Sequence, residues 1–362
     1  MFKDYMMAKL FSAGVADNFL NFLNSYLEPR VGKVTVEGAL SDIFELSDTV
    51  FQGTVLGPTL WNVFFSDVAF PASLHGGSAA IFADDLNVFK CFDVHESNEE
   101  IAERMAHTQS EVHQWGQRNR VSFDQQKEHL NIIHPIQGEG DNFKLLGNLI
   151  DVKLLMTDAI EEILTRARPK VKALLRTRGI YDTAHLIMQY KTHIWGITEY
   201  QNGCIMHAAP SALERIDSLQ RGFLNELNIS ESQAFVEYNF APPVLRRDIG
   251  ILGLLHKCTL GCAPAPIGRL FPQSERGGKW HSKPLDGHAK DCIRQRRIFN
   301  RSVFYLVSIY NRLPQELVEI ASVSAFQSAL TSIAKERCRQ QIPTWPHSFH
   351  ECIEVLKFRD GR

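Results

Sequence analysis

The sequence lacks the features of a secreted or membrane-bound protein. Its start contains the charged residues Lys3 and Asp4 and then an amphipathic pattern, so there is no leading apolar segment with a cleavage site. No stretch reaches the roughly 18 apolar residues that a membrane span needs. The 7 cysteines fall at irregular spacings, which is typical of reduced thiols and not of a disulfide framework. We therefore expect an intracellular protein, nuclear or cytoplasmic, with no membrane partner.

The sequence also lacks an excess of charge of either sign. Its 39 lysines and arginines nearly balance 41 aspartates and glutamates. With 44% hydrophobic and 22% charged residues, the composition is ordinary for a globular protein, and 362 residues are enough for two or three domains. Overall charge therefore argues neither for nor against a nucleic-acid partner.

The basic residues are nevertheless spread unevenly. Six of them and no acidic residue occur within 166–178, namely Arg166, Arg168, Lys170, Lys172, Arg176 and Arg178. Because apolar residues are interleaved with them, they predict a helix whose basic face contacts a phosphate backbone. An ordinary solvated helix face is the alternative. Pro169 is expected to break or begin a helix at this point.

Two adjacent carboxylates stand inside an otherwise apolar stretch. Residues 79–89 read AAIFADDLNVF, which places Asp84 and Asp85 between two strand-like segments. Repulsion between two such charges is about 1 kcal/mol in water and several times larger near a protein surface, whereas a divalent cation converts it into binding. The pattern predicts a hairpin with both carboxylates at its turn, where metal ions could clamp a phosphoryl group. A plain surface turn is the alternative.

A second motif precedes this pair. Residues 51–58 read FQGTVLGP and are followed by the aromatic residues Trp61 and Phe64. The glycines permit close approach of a nucleic acid to the backbone, and Pro58 suits the first turn of a helix. The stretch is similar to the Pro-Gln-Gly-Ser-x-Leu-Gly-Pro-x-Leu-Phe element before an Ala-Asp-Asp hairpin in one family. That family is the reverse transcriptases of jockey-like non-LTR (LINE-type) retrotransposons.

The resemblance continues in order along the chain. Four later segments carry it: 115–127 resembles the next palm element, 145–151 the hairpin that grips the primer end, 189–221 the helical thumb, and 310–326 a C-terminal Asn-x-Leu-Pro element. The resemblance implies an RNA-directed DNA polymerase that uses Mg²⁺, nucleotides, an RNA template and a DNA primer. It also implies roles for single residues: Asp84 and Asp85 as catalytic metal ligands, Lys127 as proton donor to the leaving pyrophosphate, Gln52 and Gly53 in positioning template and nucleotide, and Leu146 and Gly147 at the primer end.

The fold implied is α+β, with a partial right-hand palm, a helical thumb and a C-terminal extension. The palm would be an antiparallel sheet backed by helices. Apolar periodicity predicts helices over 5–27 and 97–118. The expected parts are a palm remnant over 1–152, a thumb-like region over 153–259, a Gly/Pro-rich linker over 260–295 and a helical extension over 296–362.

One catalytic residue of the family has no counterpart in this sequence. The family's other aspartate ends an Ala-Phe-Asp strand before the helix that here includes residues 6–10, and the fingers precede that strand. Asp4 falls at the start of this helix, where an acidic residue is an ordinary cap and dipole partner. We therefore expect an N-terminally truncated enzyme that is inactive alone and binds Mg²⁺ weakly. The alternatives are a non-enzymatic nucleic-acid-binding remnant and a relic without a role.

Cysteines and histidines suggest one other metal. Cys258 with Cys262 and His288 with Cys292 offer zinc-ligand types in pairs. Their irregular spacing and the Pro- and Gly-rich stretch between the pairs favour a loop over a zinc site.

Overall fold

The chain folds into two compact units. The computed structural model describes residues 3–46, 53–286 and 302–349, and the two units are Met1–Ile132 and Ile133–Arg362. In these described ranges the strands form four separate two-stranded ladders, all antiparallel. Ladders combined with helices are compatible with the α+β class, while a polymerase-type palm stays a prediction. No helix in the same ranges has both the length and the apolar character that a membrane crossing requires.

The first unit contains short helices, one long helix and three ladders. Its helices are α1 (Lys3–Ser12), α2 (Asp17–Tyr26), α3 (Gly57–Phe65), α4 (Ala69–Ser73) and α5 (Asn98–Asn119). Its strands are β1 (Arg30–Gly32), β2 (Thr35–Val36), β3 (Ala39–Leu40), β4 (Phe44–Leu46), β5 (Ser78–Phe82) and β6 (Asp85–Phe89). Strand β1 pairs with β4, β2 with β3, and β5 with β6.

Aromatic side chains of α3 and α5 form the centre of this unit's core. Phe64 and Phe65 are buried and meet the Trp115 ring edge-on, with ring centroids 6.4 and 5.5 Å away. One face of the β5–β6 hairpin packs on the same core through partly buried residues, among them Ala79 and Leu86. The alternation of strand residues explains this, because side chains two positions apart share a face. The hairpin is thus fixed on one side and open on the other.

The second unit is built mainly from helices. Its one described ladder is β7 (Phe143–Leu145) with β8 (Asn148–Ile150). The longer helices are α6 (Thr157–Arg176), α7 (Thr183–His193), α10 (Pro210–Glu226), α11 (Glu231–Tyr238), α12 (Pro243–Thr259), α14 (Val303–Tyr310) and α16 (Val323–Arg339). Shorter ones are α8 (Trp195–Thr198), α9 (Asn202–Ile205), α13 (Ala265–Leu270) and α15 (Gln315–Val318).

Helix α6 runs through Pro169 without ending there. The expectation that this proline breaks or begins a helix is therefore wrong. Pro169 lies on the exposed side, and the opposite side buries Ile163, Ala167 and Val171, which recur every four residues. Packing of this apolar stripe offsets the one backbone hydrogen bond that a proline removes.

The segment after α12, expected to be a Gly/Pro-rich linker, packs in part into the interior of the second unit. In its described part, Phe271, His281 and Leu285 are at most 4% exposed and belong to the interior of the unit. The Asn311 side chain holds Leu285 in place: its Oδ1 accepts from the Leu285 N–H and its Nδ2 donates to the Leu285 carbonyl, both at 2.8 Å. Backbone hydrogen bonds from Ser274 to Pro284 and from Asp286 to Pro272 hold the same stretch, and the Asn311 amide satisfies the remaining polar groups of Leu285.

Candidate nucleic-acid and metal site

The predicted carboxylate hairpin is present in the first unit. Phe82 pairs with Asp85 at the end of the β5–β6 ladder, which leaves Ala83 and Asp84 as a two-residue turn. Asp84 and Asp85 are both exposed to solvent. Ala83 has a φ of 53°, a left-handed conformation that a residue with a Cβ adopts at a cost of order 1 kcal/mol. The turn therefore presents two adjacent carboxylates on a backbone held in one uncommon conformation.

A hydrogen bond from α3 fixes this turn. The Trp61 Nε1 donates to the Ala83 carbonyl at 2.8 Å, and the Trp61 ring stacks on Phe65 with centroids 5.2 Å apart. Trp61 belongs to the motif that precedes the hairpin, and no local pattern predicts that its indole N–H would bind the turn. Its aromatic character suggested core packing alone. Of the two positioning residues in that motif, Gly53 has a φ of 79°, which suits glycine, and Gln52 lies outside the described residues.

The hairpin alone supplies few metal ligands. Across the described residues no group of three or more His, Cys, Asp or Glu side chains is placed to hold one ion. Asp67 is engaged elsewhere, because its Oδ1 accepts from Lys9 Nζ at 2.8 Å and from Trp115 Nε1 at 3.1 Å. Asp4 lies in the first turn of α1, as expected for a residue that interacts with the helix dipole.

Lys127, the predicted proton donor, lies in a one-turn helix at Gln125–Lys127. Its side chain is 83% exposed and lies 3.7 Å from Asp124 Oδ2. Asp124 also caps this turn by accepting from the Gln126 N–H at 3.1 Å. In the described structure no ion pair joins Lys127 to either hairpin aspartate, so the structure leaves this residue on the surface without bringing it to the carboxylates.

In the second unit, the hairpin that resembles a primer grip has a well-defined turn. Leu146 and Gly147 connect β7 to β8, with φ values of 49° and 79°. Two positive φ values in a two-residue loop are typical of a type I′ turn. Both turn carbonyls are used, because Tyr200 Oη donates to Leu146 O at 3.0 Å and Gln201 Nε2 donates to Gly147 O at 3.2 Å.

A buried arginine supports the segment that holds this turn. Arg246 Nε donates to Glu199 Oε1 at 2.6 Å, and its guanidinium lies 4.2 Å from the centroid of the Trp195 ring. Burial lowers the pKa of the Arg246 guanidinium, and the Glu199 carboxylate opposes this shift. Arg246 also donates to Gln220 Oε1 at 3.0 Å. Charge, stacking and hydrogen bonds therefore fix Glu199, the residue immediately before Tyr200.

The basic residues of α6 and the turn after it divide into paired and unpaired groups. All six predicted side chains are exposed. Arg168 pairs with Glu161 at 3.2 Å, and Arg178 pairs with Glu226. Glu161 also accepts from Arg215, and this hydrogen bond lowers the pKa of Glu161. The structure, in the ranges that it describes, shows no ion pair for the remaining four, which are Arg166, Lys170, Lys172 and Arg176.

The alternative zinc pairing is described only in part. Cys258 is partly buried in α12 and Cys262 is exposed just beyond it. Burial raises the pKa of the Cys258 thiol, which disfavours the thiolate that zinc needs. His288 and Cys292 lie outside the described residues.

Comparison with known proteins points to mobile-element polymerases. The chain is 28% identical over 224 residues to a Drosophila melanogaster protein described as a probable RNA-directed DNA polymerase from transposon X-element. The alignment covers 56% of this chain and 24% of that relative, so the chain spans about a quarter of the relative's length. No family model and no solved structure matches. Over part of its length, the chain is thus similar to an RNA-directed DNA polymerase of a transposon.

Proposed function

We propose that this chain is the palm and thumb portion of a reverse transcriptase from a jockey-like non-LTR retrotransposon. The observation that carries the proposal is the exposed Asp84-Asp85 turn, held by Trp61 of the preceding motif. A plain hairpin turn also adopts a positive φ, but it needs no hydrogen bond from a neighbouring helix such as the one that Trp61 donates. Sequence similarity to a transposon polymerase adds independent support.

The two carboxylates are the type of ligand that Mg²⁺ prefers, but two are too few to hold the ion tightly. Mg²⁺ prefers oxygen ligands and near-octahedral coordination, and it gives up its water reluctantly. In polymerases of this type, bound Mg²⁺ activates the primer hydroxyl and stabilises charge on the leaving pyrophosphate. Asp84 and Asp85 would hold the metal, and a further carboxylate must come from outside the described residues. Lys127, whose side chain is exposed, would donate a proton to the leaving pyrophosphate.

The second unit would hold the nucleic acid. The turn at Leu146 and Gly147 would contact the primer end, while Gln52 and Gly53 of the first unit would position template and nucleotide. The unpaired cations of α6 would neutralise phosphates of an RNA template and DNA primer, because an exposed cation without a carboxylate partner gives up no existing ion pair on binding. Binding and catalysis would thus depend on different residues.

We expect weak Mg²⁺ binding and no primer extension by this chain. Calorimetric titration should show no stoichiometric Mg²⁺ binding, because two ligands compete poorly with the ion's own water shell. Asp42→Asn, at another exposed aspartate of the first unit, is the matched control for Asp84→Asn. Tight binding lost in Asp84→Asn and kept in the control would show that another carboxylate completes the site. Extension of a DNA primer, lost in Asp84→Asn, would contradict the expected inactivity.

A nucleic-acid-binding protein without catalysis is the second candidate. The four unpaired cations of α6 favour it, since they need no metal ion. Fluorescence anisotropy distinguishes the two proposals: a polymerase segment should prefer an RNA–DNA duplex with a recessed 3′ end over a blunt duplex. Equal affinity for both duplexes would favour the binding protein, and no affinity for either would contradict both.

A further inference from the structure

Tyr200 combines high exposure with a fixed side chain. Tyr200 is 66% exposed, yet its hydroxyl donates a hydrogen bond to the Leu146 carbonyl at 3.0 Å. An exposed tyrosine ordinarily keeps its rotamer freedom, and ordering it on binding costs about 0.5 to 1.5 kcal/mol. Here the hydrogen bond has already restricted the ring.

The residues on either side of Tyr200 are also fixed by hydrogen bonds. Gln201 is 2% exposed and donates to the Gly147 carbonyl, while Glu199 is bound by Arg246. The Tyr200 ring lies beside Gly147, with Cε1 3.9 Å from the position that a Cβ would occupy there. Because Gly147 has no side chain, this residue does not cover the Tyr200 ring.

The turn itself adds apolar surface beside the ring. Leu146 is 43% exposed at the tip of the hairpin. An ordered aromatic ring next to an exposed aliphatic side chain is the kind of surface on which a nucleobase stacks. Such stacking tolerates any base, because every base has a π face.

We propose that Tyr200 is a nucleic-acid-binding residue whose ring stacks on the terminal nucleotide of a primer. The inference rests on the proposed function, which places the Leu146–Gly147 turn at the primer end. The hydrogen bond to Leu146 aligns the ring with the turn, so that the two contact the same nucleotide.

The test uses an RNA template and a DNA primer that carries 5-iodouracil at its 3′ end. Irradiation should crosslink the primer to Tyr200, as located by mass spectrometry, and a label at the primer 5′ end should give no crosslink there. Tyr200→Ala should weaken binding of the 3′-recessed duplex on the order of tenfold, the lower part of the range for loss of one base–aromatic stack. Trp280→Ala is the matched control, because Trp280 is another exposed aromatic of the same unit, at 47%, and should bind as wild type does.

Tyr200→Phe separates stacking from anchoring of the turn. The variant keeps the ring and loses the hydroxyl, so we expect a smaller loss of affinity and a surviving crosslink at position 200. Equal losses in the Phe and Ala variants would overturn the inference, because the hydroxyl alone would then matter. Wild-type affinity in Tyr200→Ala, or a crosslink elsewhere on a chain that binds the duplex, would also overturn it and leave the proposed function intact. A wild-type chain that does not bind the duplex would overturn both.

Discussion

The salt dependence of duplex binding should follow the unpaired cations of α6. They form two rows of residues four apart, Arg166 with Lys170 and Lys172 with Arg176. At about 100° per residue, the midpoints of the two rows lie about 120° apart around the helix axis. A duplex lying on one side of the helix should therefore contact one row fully and the other only if it wraps around.

The expected magnitude follows from the release of counterions. Each phosphate that a cation neutralises contributes about 0.9 to the slope of log K against log salt on B-form DNA, with a comparable trend for other duplexes. Replacing all four residues by Ala should reduce the slope by ~1.8 if one row binds and by ~3.6 if both do. For a fourfold change in salt, the larger figure corresponds to roughly a hundredfold change in affinity.

Anisotropy titrations at several salt concentrations measure this slope. The matched control replaces Arg168 and Arg178, which already pair with Glu161 and Glu226, and its slope should change less. Substituting the two rows separately identifies the one that faces the duplex. A slope unchanged in the fourfold variant, or one reduced equally in the control, would refute phosphate contact by these rows and leave α6 with an ordinary solvated face.

Three further predictions concern stability. Trp61→Phe should lower the free energy of unfolding of the first unit by about 1 kcal/mol, the usual net value of one hydrogen bond, as measured by urea denaturation. Asn311→Ala should cost more, about 1 to 3 kcal/mol, because it leaves a buried backbone N–H and C=O without partners. Burial lowers the pKa of both His256 and His281 in the folded protein. The unfolded chain then binds more protons, so stability should be full above a pH of about 6.5 and should fall as the pH drops below it.

Controls exist for each of these measurements. Trp280→Phe changes an exposed indole and should leave stability unaltered. Asn142→Ala removes an amide that bonds Asp158 at the surface, so a loss equal to that of Asn311→Ala would contradict the special role of Asn311. The acid-induced loss should shrink in His256→Gln if the variant folds, and an unchanged pH profile would show that other groups cause it.

Helices and strands were predicted from the sequence where a single apolar pattern corresponds to a single helix or hairpin. The apolar segments on either side of Asp84 and Asp85 do form the two strands of a hairpin, and the helix expected over 97–118 is α5. By contrast, the helix expected over 5–27 is divided into α1 and α2. Gly14 lies between them with a φ of 80°, a conformation that ends a helix and that apolar periodicity does not reveal.

Contacts between distant residues could not be predicted in the same way. The bond from Trp61 to the carboxylate turn and the bonds from Tyr200 and Gln201 to the second turn join residues 22 to 54 positions apart. No local propensity encodes such pairs. Burial of the segment around Leu285 was not predicted for a related reason, because a Pro- and Gly-rich composition does not reveal the bonds that Asn311 makes to it.

The interior shared by α12, α14 and α16 has a consequence for how this protein can be divided. Leu252 and Leu255 of α12 are fully buried in the same cluster as Phe326 and Leu330 of α16. A fragment that stops at residue 259, the end of the predicted thumb, would present that face of α12 to water. Such a fragment should aggregate or be degraded in cells, since large exposed apolar patches promote association. For expression, the smallest usable piece of the second unit is therefore one that continues through residue 349.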